Sequence, residues 1–417
     1  MKRIAVYSHS IAPSIDGVCR RYTAILHELV RQGYEILLFT IESEPKDIPE
    51  SISYIVLDYM IMPAYPGKRV IRPTWAVFGK IYSALKEYQP DCIHMTNDGG
   101  SNMFIGCALM LGIPIVGAYH TDILELVQRH GGTLFQQGIV YSKELTDSWM
   151  LDASATTSNS FRDKLASKHI HTEHVIVTAV DSKVFSKNKF SSKLRSEMTF
   201  GDDQGFLCVY IGRISREKRI DIIIEAVQQI PGCYLAIVGD GPSAPVYAKL
   251  HGKQNRIFCR PQFLDHAELA EVYASSDIHV SASEFETLGN TVLEAHACGV
   301  PVVVPRAQGF QDTVHHEVDG FLFEPGNAAS AKEYIQQLKD DKKLKERMGK
   351  AGLKAIKSNT IESVVADLLK WYERGAISAY NKSIWSKLGI ALMLIPIIPF
   401  TIFSLRCYDI LVSVLAV

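Results

Sequence analysis

The sequence predicts an α/β protein built from two doubly wound, parallel-sheet domains, and three observations carry that expectation. Short apolar runs without polar alternation recur between longer amphipathic stretches, the pattern of buried parallel strands joined by helical crossovers. The pattern pauses at a polar, charged stretch from Ser186 to Arg195 and then begins again. The chain's 417 residues also exceed what a single hydrophobic core organises.

In the first half, Ile4 to Tyr7, Ile36 to Phe39, Cys92 to Met95 and Ile113 to Tyr119 read as buried strands. Ile25, Leu26, Leu29 and Val30 place a helix between the first two strands, and Gly33 ends it. Ligands of such a sheet gather where strands end and helices begin. Three loops qualify: Ser8 to Gly17, Thr96 to Ser101, and Tyr119-His-Thr-Asp122. Gly17 at a helix start lets backbone N–H groups approach a phosphate; lacking G-x-G-x-x-G spacing, it reads equally well as a plain turn residue. His120 directly follows a strand, and is either a ligand contact or a histidine hydrogen-bonded to nearby backbone. Tyr65-Pro-Gly-Lys-Arg-Val-Ile-Arg-Pro-Thr-Trp75 mixes cations with Val70, Ile71 and Trp75. That stretch is expected as a loop, either touching an anionic membrane surface or solvated around one packed tryptophan.

After the polar stretch, which suits an interdomain connection, strands are expected at Phe206 to Ile211, Tyr234 to Val238, Asp277 to Val280 and Val302 to Val304. Glu268 to Tyr273 is a helix leading into the third of these. The first strand runs into Gly212-Arg-Ile-Ser-Arg-Glu-Lys218. There Arg213 offers a fork of donors beside the point charge of Lys218, as a diphosphate requires; surface charge around a turn is the plainer alternative. Gly239-Asp-Gly-Pro242 is a tight turn with shape and no chemistry. From Ser281 to Val304 the chain reads as a strand end, a polar loop, a helix opening near Gly289, a stop at Gly299 and a buried strand from Pro301. Glu286 falls in the loop and Glu294 about a turn and a half into the helix. A helix N-terminus here would suit a phosphate, and the whole stretch reads as a sugar-nucleotide site in the cleft that two such domains leave.

Composition limits the partners. Forty-four basic and 45 acidic side chains nearly cancel, so no global field recruits nucleic acid. Eight cysteines include no C-x-x-C pair and sit mostly in apolar runs, as reduced core residues of an intracellular protein do, with no disulfide frame or zinc site. Strand-like residues from Arg3 leave no room for a signal or transit peptide. Leu388 to Leu405 is an apolar run without a charge, about 27 Å long as a helix. It is expected to be a membrane anchor, kinked or re-entrant at Pro396 and Pro399, with a buried terminal helix as the other reading.

Taken together, Gly212-Arg213…Glu217-Lys218, Gly239-Asp-Gly-Pro242, Glu286 with Glu294 in Leu293-Glu-Ala, and Gly299-Val-Pro-Val-Val303 resemble, in order and spacing, the retaining glycosyltransferases of family 4, which have the GT-B fold. The resemblance spans about residues 3 to 375. Within the family, Ser283-Glu-Phe-Glu-Thr-Leu-Gly289, Tyr119-His-Thr121 and Arg306-Ala-Gln-Gly309 look most like the plant and cyanobacterial sulfoquinovosyltransferases, which use UDP-sulfoquinovose and diacylglycerol. The domains it implies are an acceptor-side domain over 1–183, a nucleotide-sugar domain over 184–358, a helix over 359–380 crossing back, and the hydrophobic segment 388–417.

The resemblance also implies roles. Arg213 and Lys218 would hold the donor diphosphate, with Gly17 lending N–H groups from the other domain. Glu294 would bind the ribose, Glu286 the donor sugar's hydroxyls, and His120 the sugar near its anomeric centre. Thr287, Leu288 and Gly289 complete the donor-binding set. His120, Arg213, Lys218 and Glu286 would be catalytic, through same-face attack with retention and proton transfer to the departing phosphate. No metal or other cofactor is expected, because two cations neutralise the leaving group and no Asp-x-Asp motif of the kind other glycosyltransferases use is seen. The implied partners are a UDP-sugar, a lipid acceptor and a membrane surface, with the catalytic body on the cytosolic or stromal side. Glucosyl or mannosyl transfer to diacylglycerol or phosphatidylinositol is the alternative, and a non-catalytic nucleotide-sugar-binding protein is the alternative of another class.

Some positions depart from the family pattern. Thr178-Ala-Val-Asp181 stands for the usual Asn-Gly-Val-Asp, Phe258-Cys-Arg260 for Phe-x-Gly, and Gly309-Phe-Gln-Asp312 for Gly-Gly-x-x-Glu. None removes a catalytic group; Arg260 would alter base contacts and Gly309 to Asp312 the loop facing the sugar. A sulfonate would want further cations, for which Lys143, Arg129 and Arg20 are candidates.

Overall fold

The computed structural model describes residues 1–62 and 65–381. The chain divides into two compact units. The first takes Met1–Thr157, Arg162–Ile176 and Val365 onward; the second takes Ser158–Phe161 and Val177–Val364.

The first unit holds β1 (Arg3–Ser8), β2 (Glu35–Thr40), β3 (Ser53–Val56), the hairpin strands β4 (Tyr59–Met62) and β5 (Tyr65–Ile71), β6 (Cys92–Thr96), β7 (Ile115–Tyr119), β8 (Ala153–Thr156) and β9 (His174–Val175). Seven of them form a sheet in the order β3-β2-β1-β6-β7-β8-β9, every pair parallel. Both faces are covered, so β1, β6 and β7 carry apolar residues without alternation. Three strands of this sheet escape the apolar-run signal. Ala153-Ser-Ala-Thr156 has small side chains, Ser53–Val56 is an edge strand with half its residues exposed, and β9 has two residues.

Residues 65–71, expected as a loop, instead pair with β4 as an antiparallel hairpin. Val70 and Ile71 are buried, leaving Trp75 exposed at the start of the helix Trp75–Tyr88. Arg69 pairs with Glu42 at 2.7 Å. Val70 and Ile71 pack over Gly99 and Gly100 in the loop after β6, while Trp75, expected either at a membrane surface or packed, is 79% exposed.

The second unit holds β10 (Phe206–Ile211), β11 (Cys233–Gly239), β12 (Ile257–Pro261), β13 (Ile278–Val280), β14 (Val302–Pro305) and β15 (Gly320–Phe323), in a parallel sheet ordered β12-β11-β10-β13-β14-β15. Along β10, Leu207, Val209 and Ile211 enter one core and Phe206, Cys208 and Tyr210 the other. The unit begins at Val177, ahead of the polar stretch expected to be a connection. That stretch folds as a 3-10 turn, Lys187–Lys189, and the helix Ser192–Met198. Its charge has structural partners: Arg195 donates to Asp277 Oδ2 at 2.7 Å and to the Gly205 carbonyl at 2.8 Å.

The helix Ile361–Asn381 places Trp371 and Tyr372, both fully buried, in the first unit. Gly375 allows the approach, since a Cβ there would lie 2.5 Å from Val116 Cγ1. The apolar run at 388–417 lies outside the described residues; among those, no helix is long and apolar enough to cross a membrane.

Candidate active site

The chemistry-bearing residues fall in two groups, one in each unit. In the second, the chain leaves β10 through Gly212, at φ +148°, and its N–H donates to the Val238 carbonyl at 3.1 Å. The loop then closes in a 3-10 turn, Arg216–Lys218. Tyr210 Oη fixes it from below by donating to the Arg213 carbonyl at 2.8 Å. The turn after β11 must be glycine on both sides of Asp240. A Cβ on Gly239 would sit 2.0 Å from the Gly212 carbonyl oxygen, and one on Gly241 2.4 Å from that of Ile214. The Gly239–Pro242 turn is thus the floor on which the Arg213 loop rests.

Arg213 and Lys218 both act on Glu217. Burial would raise that carboxyl, but the Ser215 hydroxyl, its own N–H and the charges of Lys218 and Arg213 hold it below the ordinary range. Lys218 Nζ also meets Glu286 Oε1 at 2.5 Å and Ser283 Oγ at 3.5 Å. The pair is partly open, with 17% of the Lys218 side chain and 27% of Glu286 exposed. It joins residues 68 positions apart because β13 lies beside β10.

The loop carrying Glu286, Thr287 and Leu288 is clamped from β14's side. Gly309 N–H donates to the Glu286 carbonyl at 2.8 Å, and a Cβ on Gly309 would lie 2.5 Å from Leu288 N. Gly289, at φ +86°, opens the helix Asn290–Ala297 without a side-chain cap, and its missing Cβ makes room for the Phe310 ring. Glu294 lies on that helix, 7% exposed, and Tyr273 Oη donates to its Oε2 at 3.1 Å. Tyr273 is a partner the sequence reading missed; a buried carboxylate needs one.

Two of the departures from the family pattern have partners within the protein. Asp312 accepts from the N–H groups of Asn159 (3.1 Å) and Ser160 (3.0 Å), capping the start of a helix. Arg260 pairs with Glu268 at 3.0 Å.

In the first unit, Gly17 is the first residue of the helix Gly17–Arg31. The Asp16 carboxylate already accepts from the N–H groups of Val18 (2.8 Å) and Cys19 (2.9 Å). A phosphate at this helix start would share it with a carboxylate, which narrows the expected role to the Gly17 N–H itself.

His120, immediately after β7, is buried in a network of side chains. Arg21 Nη1 lies 3.4 Å from its Nδ1 and Tyr22 Oη 3.0 Å from its Nε2. Tyr22 Oη is also 2.7 Å from His94 Nε2, and His94 Nδ1 is 2.6 Å from Tyr372 Oη. Burial, then the Arg21 charge, holds His120 well below the ordinary histidine range and His94 down at about 3. Both rings are therefore neutral at neutral pH. A guanidinium only donates, so His120 Nδ1 accepts and its proton sits on Nε2. The chain then runs one way: His120 donates to Tyr22, Tyr22 to His94, and His94 to Tyr372. Tyr22, His94 and Tyr372 left no sequence signal, being 72 and 278 positions apart across their shared bonds.

Two candidate sulfonate cations are already engaged. Lys143 meets Asp147 and Asn97, each at 2.6 Å, and Arg129 pairs with Glu125 at 2.6 Å.

Comparison with known proteins adds to this geometry. The family model described as Glycosyltransferase Family 4 matches residues 15–183, and that described as Glycosyl transferases group 1 matches 195–355. The chain is 28% identical to the sulfoquinovosyl transferase SQD2 of Arabidopsis thaliana, over 84% of this chain and 69% of that protein. It is 29% identical to a GDP-mannose-dependent alpha-mannosyltransferase of Corynebacterium glutamicum, over 89% and 88%. It is 26% identical to the alpha-monoglucosyldiacylglycerol synthase of Streptococcus pneumoniae, over 77% and 75%. The crystal structure of Anabaena Alr3699/HepE in complex with UDP and glucose superposes with a TM-score of 0.68 at 18% identity, covering 89% of this chain and 99% of that one. At that identity the likeness is one of fold.

Proposed function

This chain is a glycosyltransferase of the GT-B fold, a hexosyltransferase, and we propose that it moves the sugar of a UDP-hexose onto a membrane lipid, sulfoquinovose onto diacylglycerol being the first pair to test. The observation that carries the reading is the Lys218–Glu286 pair beside Arg213. Glu286 and a diphosphate compete for the same cation, Lys218. A diphosphate arriving at Arg213 and Lys218 takes over that cation and releases the Glu286 carboxylate for the hydroxyls of the attached sugar. Phosphate recognition and sugar recognition are then one event. Glu294, held by Tyr273, accepts from the ribose hydroxyls, with Thr287, Leu288 and Gly289 shaping the loop between the two acids.

Cations placed where charge develops stabilise the transition state more than the ground state, and Arg213 and Lys218 meet the departing diphosphate in this way. We assign to Gly17 and His120 the phosphate and sugar contacts implied by the resemblance, and to the reaction retention with proton transfer to the leaving phosphate. His120 enters that chemistry as a neutral ring with its Nε2 proton committed to Tyr22. Sugar contact through Nδ1 displaces Arg21, whose 3.4 Å bond is the longest in the network. A lipid acceptor places the chain at a membrane surface.

The mannosyl and glucosyl readings are supported by relatives 29% and 26% identical, beside 28% for the sulfoquinovosyl transferase, and Lys143 and Arg129 are already paired with acids. The test is nucleotide release and glycolipid formation with UDP-sulfoquinovose, UDP-glucose and GDP-mannose, each with dioleoylglycerol or phosphatidylinositol in vesicles. Glycolipid from UDP-sulfoquinovose and dioleoylglycerol supports the leading pair. A better donor or acceptor replaces that pair, and no release with any donor overturns the enzymatic reading.

A further inference from the structure

Along the loop that leaves β10, one residue stands in a conformation that its side chain disfavours. Arg219, between the 3-10 turn Arg216–Lys218 and the helix Ile220–Gln228, has φ +48° and ψ 42°, in the left-handed region. A long side chain is uncommon there and a glycine adopts it freely, so the backbone alone would select glycine at this position. An arginine kept at such a place points to a task for its guanidinium.

That guanidinium is loosely held. Its Nη1 is 3.9 Å from Glu284 Oε1 and its Nε 3.5 Å from Asp221 Oδ2, with 44% of the side chain exposed. Charge-assisted hydrogen bonds run at about 2.7–2.9 Å, and both contacts lie well beyond that. The neighbouring pair is tight by comparison, with Lys218 Nζ 2.5 Å from Glu286 Oε1. Lys218 and Arg219 are adjacent, and Glu284 and Glu286 are two positions apart, so two ion pairs join the same two loops side by side.

A donor whose sugar carries a negative charge meets a difficulty at this site. With the diphosphate on Arg213 and Lys218, the loop after β13 presents the carboxylates of Glu284 and Glu286 to the sugar. Hydroxyls can donate to them, whereas an anion is repelled. A sulfonate there needs a cation of its own, and a guanidinium fork matches two of its oxygens. Of the cations singled out in the sequence, Lys143 and Arg129 pair with acids at 2.6 Å. Arg219 comes from the donor-side loop itself, and neither of its ion pairs is that short.

We propose that Arg219 binds the anionic group of the donor sugar and so sets a preference for a sulfonated hexose over a neutral one. The sulfonate accepts from two guanidinium N–H groups in place of Glu284, an exchange that costs little because the existing pair is long and part-exposed. The inference rests on the proposed UDP-hexose transfer, and it assigns the choice of sugar to a side chain outside the Arg213, Lys218, Glu286 and Glu294 set.

The test is calorimetry on the full chain with UDP-sulfoquinovose, UDP-glucose and UDP, for wild type, Arg219→Gly and Arg219→Lys. Arg219→Gly removes the cation while suiting the backbone, so urea unfolding should find it no less stable than wild type. It is expected to weaken UDP-sulfoquinovose by about tenfold or more relative to UDP-glucose, the worth of a hydrogen bond to a charged group. Arg219→Lys keeps the charge without the fork and should recover part of that selectivity. An unchanged preference in Arg219→Gly overturns the assignment, as does a wild type that binds both sugar nucleotides alike. Equal weakening of all three ligands would put the cation on the diphosphate, and a less stable Arg219→Gly would mark the arginine as structural; either result also overturns it. The proposed transfer fails by a different result, nucleotide release with no donor, whereas a chain that transfers glucose and binds both donors alike fails the Arg219 assignment alone.

Discussion

Glu286 and Glu294 sit eight positions apart and have different neighbours, and the difference predicts different kinetic defects. Glu294 is buried on Tyr273, so Glu294→Ala should raise the donor KM and leave kcat within a few-fold. Glu286 shares Lys218 with the incoming diphosphate, so Glu286→Ala should lower kcat more than it raises KM. Steady-state kinetics with varied donor separates the two, and identical defects would remove the division of labour. Much of this was legible in the sequence: both acids, Arg213 and Lys218 stand in the loops and helix expected for them. The Lys218–Glu286 contact was not, because it depends on β13 lying next to β10, and strand order is a property of the whole sheet rather than of any local pattern. For the same reason the His120 network was hidden, since its members come from two helices, the middle of one strand and the end of another.

Among the elements, the glycine turn after β11 has the most constrained geometry. Gly239→Ala demands a Cβ 2.0 Å from the Gly212 carbonyl at φ +135°, so either the turn or the Arg213 loop must move. Such strain is expected to cost about 1–3 kcal/mol. Urea unfolding would record the loss, and nucleotide affinity should fall with it; a variant of normal stability and affinity would show that the loop does not rest on this turn. The C-terminal helix offers a parallel case. Tyr372→Phe leaves His94 Nδ1 without its 2.6 Å partner, at an expected cost of about 1–3 kcal/mol. Buried strands and their crossovers could be read from apolar runs because both sheet faces are covered. The hairpin β4–β5 and the small-residue strand β8 could not, since one is part-exposed and the other lacks bulky residues.

At the scale of the molecule, ionisable groups in the two units respond to acid differently. In the second unit, burial holds His279 down at about 3 and lowers His296, while Asp277 and Glu217 are also held below their ordinary ranges. All four bind protons more readily when unfolded, so their contributions are present at neutral pH and are lost as pH falls. For His279 the window runs from about 6.5, its unfolded value, down to about 3. In the first unit His94 and His120 act in the same sense. Glu144 opposes them, since burial raises it to about 8, and its contribution is largest in acid and fades as pH rises through that value. Acidification from pH 7.5 to 5 is therefore expected to loosen the second unit first. Limited proteolysis at pH 5 should begin within 177–364, while fluorescence from Trp371 of the first unit persists. Early cleavage in the first unit would contradict this. Whatever the pH, sugar transfer to dioleoylglycerol by wild type and Arg213→Ala is the most direct test of the donor site. Wild type is expected to form glycolipid and the folded variant to lose roughly 10² or more in kcat; near-normal turnover by Arg213→Ala would contradict the assignment.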